Sequence, residues 1–91
     1  MSIAEERIEI LFELAKAQAS NGEFDRSREY VRLARRIAER NRCGLSREFK
    51  RYTCKRCDVA LRPGRNARVR LATGRIVIRC DCGATQRYPY K

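Results

Sequence analysis

Four of the five cysteines of this 91-residue chain fall into two close pairs, Cys54-Lys-Arg-Cys57 and Cys80-Asp-Cys82-Gly83, and the chain contains no histidine. Two thiolate pairs separated by 22 residues can surround a single Zn²⁺ tetrahedrally once a hairpin brings them together. The second pair is one residue tighter than CxxC and bites the metal more narrowly. Cys43, in a basic stretch close to Cys54, is the alternative donor for one member of that tighter pair. A redox dithiol is disfavoured, because no thioredoxin-like βαβ pattern surrounds CKRC. A site closed by four thiolates keeps no open coordination position. One structural Zn²⁺ is therefore expected, with its binding energy acting as folding energy for the residues around it. A chain of this length buries only about 60–65% of the surface exposed when unfolded, so such a clip has a clear use.

The cellular setting agrees with a metal rather than disulfides. The N-terminal MSIAEERIEI is acidic and amphipathic, unlike a secretory signal, and no run of about 18 apolar residues is present. A reducing, cytoplasmic compartment is the expectation, and thiols there hold metal more readily than they pair. Without histidine there is no Ser-His-Asp or Cys-His nucleophile system and no HExxH motif. The chain alone is expected to carry no catalytic residues.

Charge divides the chain. Residues 1–40 contain eight Lys/Arg and eight Asp/Glu, whereas residues 41–91 contain fourteen and three, so the whole surplus of +11 lies in the second part. Arginine supplies 18 of the 22 cations, and its planar fork suits phosphate. A polyanionic partner is implied.

The first part reads as an antiparallel two-helix hairpin, residues 1–41. Ser2 and Glu5 form a capping box. Ile8, Leu11, Phe12, Ala15 and Ala19 recur at helical spacing, and Asn21-Gly22 ends the helix. A second helix from about Glu23 to Arg40 places Phe24, Ser27, Val31, Ala34 and Ala38 on one face, while Arg28, Arg32, Arg35, Arg36 and Arg40 cover much of the rest. Ile3, Ile10 and Leu14, beside Ile8 and Leu11, make the apolar stripe of the first helix wider than one partner helix covers. These five residues are candidates for a face that docks another protein; the second part of the chain packing there is the other reading. Residues 42–53 form a basic connector, with breaks at Gly44 and Ser46 and possible anchors at Leu45 and Phe49.

Residues 54–91 read as a small antiparallel sheet of three strands held by the metal. Thr73-Gly74 as a two-residue turn pairs Leu71 with Ile76 and Val69 with Ile78 on an apolar core face. Arg70 then faces Val77, and Arg68 faces Arg79, on the other side. Directly opposed arginines repel unless a counter-charge arrives. Arg62 and Arg65 flank a Pro63-Gly64 turn, and Lys55 and Arg56 sit between the first two thiols. A phosphate backbone is the natural partner of this surface. Tyr88 and Tyr90 offer stacking faces for bases, and Asn66 is expected to cap its turn.

FKRYTCKRCDVALRPGRNARVRL, followed by GRIVIRCDCG and RYPY, resembles the zinc-ribbon protein subunit family of archaeal ribonuclease P, counterpart of the 21-kilodalton eukaryotic subunit. The likeness spans about residues 48–90, and the preceding hairpin fits the family's N-terminal half. The second thiol pair departs from the family pattern, CxC standing for CxxC. The resemblance implies an α+β, L-shaped protein, a helical hairpin followed by a zinc ribbon. It implies a part in removing the 5′ leader from precursor tRNA, where catalysis belongs to RNA. The implied partners are ribonuclease P RNA, precursor tRNA and the Sm-like-barrel protein subunit, the last docking chiefly on the helices. By position, Cys54, Cys57, Cys80 and Cys82 would hold zinc. Lys50, Arg51, Lys55, Arg56, Arg62, Arg65, Arg68, Arg70 and Arg79 would contact RNA. A ribosomal- or transcription-type zinc ribbon without processing activity, or a partner-binding adaptor, are the competing classes.

Overall fold

The computed structural model describes residues 3–89; Ser2, with its expected capping box, and Tyr90 lie outside the described residues. Helix α1 spans Ile3–Ser20 and α2 spans Phe24–Asn41. Between them the chain reverses at Gly22, whose φ of 83° is easy for glycine. Gly22 N donates to the Ala19 carbonyl and Glu23 N to that of Gln18, so two carbonyls left over at the end of α1 are satisfied.

The helices close on a seam of mostly small residues. Ile8, Phe12, Ala15 and Ala19 of α1 are buried with Val31, Ala34 and Ala38 of α2. Each helical residue turns the chain by roughly 100°, so Ile8, Phe12, Ala15 and Ala19 share one line, and Ile3, Ile10 and Leu14 share another roughly 150° away. The wide stripe is thus two faces. Ile8 is 7% exposed and belongs to the core, which removes it from the candidate partner face. Leu11 lies between the two lines and packs half-buried against the core, while Ile3, at 71%, Ile10 and Leu14 remain open.

Helix α2, expected to about Arg40, runs to Asn41 and is capped by Arg42. Arg42 adopts a left-handed φ of 53°, and Cys43 N returns to the Ala38 carbonyl. The connector contains a short helix, α3 (Arg47–Arg51), capped by Ser46, whose Oγ accepts from Phe49 N at 3.1 Å. That cap turns Phe49 into the hairpin core, where its ring meets Phe12 at 5.1 Å between centroids.

Strands β1 (Ala67–Ala72), β2 (Arg75–Cys80) and β3 (Thr85–Pro89) form an antiparallel sheet in that order. Leu71 pairs with Ile76, Val69 with Ile78, Arg70 with Val77 and Arg68 with Arg79, with Gly74 (φ 71°) completing the turn. The apolar face is less buried than its alternation suggests. Ile78 is fully buried, but Val69 is exposed and Leu71 is 73% exposed. The segment that covers this face, Cys54 to Leu61, reaches Ala67, Ile78 and Cys80 at the thiol end and stops short of the turn. The same segment joins the two halves: Ala60 belongs to the hairpin core, whereas Val59 and Leu61 belong to the ribbon core, and Phe24 packs on both.

Candidate metal centre and basic face

Each thiol pair sits in a tight turn. In the first, Cys54 N donates to the Val59 carbonyl and Asp58 N to that of Cys54, with Asp58 in a left-handed conformation (φ 66°). Cys57 N points at the Cys54 sulfur, 3.4 Å away. In the second, between β2 and β3, Gly83 N donates to the Cys80 carbonyl and Cys80 N to that of Ala84. Gly83 takes φ of 97°, which accounts for a glycine directly after the last thiol.

The turns bring Cys54, Cys57, Cys80 and Cys82 together, their sulfurs all within 4.8 Å of one another. Cys54 and Cys82 sulfurs lie 3.6 Å apart, as do those of Cys57 and Cys80. A tetrahedral ion with metal–sulfur bonds of about 2.3 Å sets its sulfurs about 3.8 Å apart, so the four residues fit a divalent metal of that kind. The short CxC spacing is absorbed by the sharp turn at Gly83. Cys43 is outside the group and packs against the hairpin core.

Burial pushes the Cys54 and Cys80 thiols up from their ordinary range. Exposed Cys82 is lowered to about 7: its slight burial works upward, but the Ala84 N–H and the neighbouring thiols outweigh it. One thiol therefore ionises readily, and the buried ones must surrender protons to an arriving cation.

Helix α2 reaches this centre. Arg32 Nε donates to Asp58 Oδ2 at 2.9 Å, and Arg35 Nη1 pairs with Asp58 Oδ1. Arg35 Nη2 also donates to the Cys54 carbonyl at 3.2 Å and to Thr53 Oγ1 at 3.3 Å. Burial weighs against the charge on Arg28, but hydrogen bonding and attraction to the Cys57 side chain, then to Asp25, raise its pKa above the usual value. The sequence reading places this arginine stripe on the helix surface outside its apolar face and assigns it no partner. The signal was its i, i+4, i+7 spacing, which puts all three arginines on one line.

Asn66 is buried and structural. Its Oδ1 accepts from Arg62 N at 2.7 Å, its Nδ2 donates to the Ala60 carbonyl at 3.0 Å, and its own carbonyl accepts from Asp81 N. One side chain and its backbone thus tie the PGRN turn to both thiol turns.

The expected basic residues separate into groups. Arg68, Arg70 and Arg79 share the sheet face turned away from the core. The register adds Arg87, aligned with Val77 and hence with Arg70, and Arg75, aligned with Ala72 and Pro89. Five exposed arginines therefore occupy one face of three strands that contain no Asp or Glu. Arg75 and Arg87 were missed although strand alternation alone assigns them to this side. Lys55 and Arg56 are exposed in the first thiol turn. Arg62 reaches back to Ser20, its Nε donating to Oγ at 3.0 Å, and the Arg65 guanidinium lies over Gly22, where a Cβ would meet its Nη2 at 2.9 Å. Lys50 is exposed on α3, whereas Arg51 is half-buried over the Tyr88 ring, 5.3 Å from its centroid. Tyr88 is occupied: its hydroxyl donates to the Lys50 carbonyl at 3.0 Å and accepts from Gln86 Nε2 at 2.7 Å. It anchors α3 to the sheet and is not free to stack on a base.

Glu6, Glu9 and Glu13 rim an open apolar groove formed with Ile10 and Leu14 on α1. Among the described residues no helix is long and apolar enough to cross a membrane.

Comparison with known proteins is consistent along the whole chain. The profile of the RNAse P Rpr2/Rpp21/SNM1 subunit domain matches residues 7–83. A ribonuclease P protein component 4 from Halobacterium salinarum is 61% identical over 89 residues, spanning 98% of this chain and 96% of its own. The cryo-EM structure of an archaeal ribonuclease P with mature tRNA contains a chain that superposes with a TM-score of 0.89 at 47% identity, over 97% of this chain and 77% of that one. The structure of Pfu Rpp21 superposes with a TM-score of 0.67 at 39% identity, over 93% and 97%.

Proposed function

The chain belongs to the RNAse P Rpr2/Rpp21/SNM1 subunit family, and from that premise we propose that it is a non-catalytic protein subunit of ribonuclease P, helping the catalytic RNA remove the 5′ leader from precursor tRNA. The observation that carries this reading is the face of five arginines, Arg68, Arg70, Arg75, Arg79 and Arg87, on strands free of carboxylates. Such a surface neutralises phosphates without reading bases, which is what a folded catalytic RNA requires of a supporting protein. Lys50, Lys55, Arg56 and the PGRN turn with Arg62 and Arg65 extend the contact toward the hairpin, and Arg51 contributes through its packing on Tyr88.

Cys54, Cys57, Cys80 and Cys82 hold one Zn²⁺. Bound there, it supplies a closed structural crosslink and no Lewis-acid chemistry, since all four positions are filled by sulfur. The chain's own residues do the rest: the thiol turns aim β1 and β2, and Asn66 fixes the PGRN turn against them.

The hairpin serves a protein partner, the Sm-like-barrel subunit. Ile3, Ile10 and Leu14 give it an apolar line, with half-buried Leu11 at its edge. The rim of Glu6, Glu9 and Glu13 repels RNA and favours a basic protein. The complex works in the cytoplasm.

Cleavage of precursor tRNA by the cognate ribonuclease P RNA with the barrel subunit, at moderate magnesium, tests the reading. Adding the zinc-loaded chain is expected to raise cleavage, and Arg68→Ala, Arg70→Ala and Arg79→Ala together remove the gain. No change on adding the folded chain to active RNA overturns the assignment.

A further inference from the structure

The arginine stripe of α2 has a use that RNA binding does not explain. Arg32 and Arg35 grip Asp58, the residue that follows Cys57, and Asp58 N in turn bonds the Cys54 carbonyl. Arg35 bonds that same carbonyl from outside. Nearer the start of α2, Ser27 Oγ accepts from Ala60 N at 3.0 Å, holding the end of the segment that follows the first thiol turn. Every contact arises in the helical hairpin and lands within the Thr53–Ala60 segment.

Electrostatics gives these contacts a purpose. Four thiolates around a divalent cation leave a net double negative charge in a small cluster, with Cys54 and Cys80 buried. Outer-sphere donors decide how firmly such ligands are oriented and held. Among the side-chain contacts of the described residues, the cations directed at the first thiol turn belong to α2: Arg32 and Arg35 toward Asp58, and Arg35 toward the Cys54 carbonyl as well.

We propose that Arg32 and Arg35 are positioning residues of the metal centre, a cationic clamp supplied by the hairpin that retards metal release and makes metal occupancy set the attachment of the ribbon to the hairpin. The inference rests on reading the four cysteines as a zinc site. It gives the metal a second role: through the clamp it fixes the arginine face relative to the protein-partner face of α1. Loss of zinc then separates two binding surfaces as well as unfolding one.

Zinc transfer from the full-length, zinc-loaded chain to an excess of chromophoric chelator tests the clamp, with helix content followed by circular dichroism in the same samples. Outer-sphere changes typically alter metal retention about 10–100-fold, and Arg32→Gln with Arg35→Gln is expected to accelerate release within that range. Arg36→Gln, on the exposed side of the same helix, leaves the rate unchanged. A measurement on the parent chain does not depend on any variant folding: the Nε–H signal of Arg32, which donates to Asp58, is slow to exchange in the zinc form and becomes fast on chelation. One zinc per chain with equal release rates in all variants, or Nε–H exchange indifferent to zinc, overturns the clamp alone. A folded chain that takes up no zinc overturns the metal reading and the clamp together.

Discussion

In the hairpin, Ile8, Phe12, Ala15 and Ala19 close on Val31, Ala34 and Ala38, and Phe49 seals one end from α3. In the ribbon the large buried aliphatic side chains are Val59, Leu61 and Ile78, and the rest of the interior is made by Ala67, Cys54 and Cys80. The hairpin is electrically balanced over residues 1–40, while residues 41–91 carry the entire +11. A segment that repels itself and buries so little apolar area needs a strong local crosslink. The comparison teaches a division of labour: apolar packing supports the neutral half, and a metal held by the four thiols would allow the other half to display charge that otherwise opposes its own folding.

Removing the metal breaks the comparison most severely. Structural zinc sites contribute about 10–16 kcal/mol of apparent binding energy near neutral pH, more than a small ribbon can lose. Chelation is expected to leave α1 and α2 helical while the amides of β1, β2 and β3 exchange at unfolded-chain rates. Loss of the helices in the same step contradicts the division. Acid acts in the same direction as chelation. Burial raises the thiols of Cys54 and Cys80, so their protons compete with the metal more strongly as pH falls, and zinc retention declines with it. Zinc content against pH, followed at fixed chelator, reads this directly.

Core truncations come next in size and separate the halves. Phe49→Ala removes a fully buried ring and is expected to cost about 3–5 kcal/mol, with no relief from excess zinc. Ile78→Ala costs about 2–5 kcal/mol in the ribbon, but excess zinc offsets it, because the ion binds the folded ribbon and adds stability by mass action. Thermal unfolding with and without added zinc distinguishes the two responses.

Much of this was written in the sequence at short range. The Thr73-Gly74 turn determined every β1–β2 pair, since a two-residue loop leaves one register, and the thiol spacing selected the four cysteines that meet. What escaped was set by distance in space. Alternation assigns Val69 and Leu71 to the inner face but cannot say that the covering Cys54–Leu61 segment ends before reaching them. Arg35 meets Asp58 across 23 positions, and Tyr88 meets the Lys50 carbonyl across 38, so neither partner is visible in a local window. Ile8 and Ile10 look alike as members of one apolar run. Only the line taken by α2 separates the buried residue from the open one.

The arginine face yields a smaller effect, and one that the hairpin does not share. Each phosphate neutralised contributes about 0.7–0.9 to the logarithmic salt dependence of nucleic-acid binding. Arg75→Ala with Arg87→Ala is expected to lower that slope by about 1–2 while thermal stability holds within about 0.5 kcal/mol, because both side chains are exposed. Arg26→Ala, exposed on α2, leaves the slope unchanged. Binding of the ribonuclease P RNA measured over a range of salt gives the comparison, and equal slopes for all three proteins remove Arg75 and Arg87 from the contact.

The smallest effect sharpens the contrast through the backbone. Among the described residues two non-glycines lie in the left-handed region: Arg42, which caps the end of α2, with φ of 53°, and Asp58 after the first thiol pair, with φ of 66°. At Arg42 only chain reversal is needed, and its side chain is exposed. Glycine takes that conformation without the steric cost paid by arginine, so Arg42→Gly is expected to stabilise the hairpin by up to about 1 kcal/mol. At Asp58 the same relief is available, but the substitution removes the carboxylate that Arg32 and Arg35 both hold. Asp58→Gly is therefore expected to destabilise the chain despite its easier backbone. Denaturant midpoints of the two zinc-loaded variants should move in opposite directions. If both move upward, backbone strain outweighs the ion pairs at Asp58, and the contact between α2 and the thiol turn contributes less than its geometry indicates.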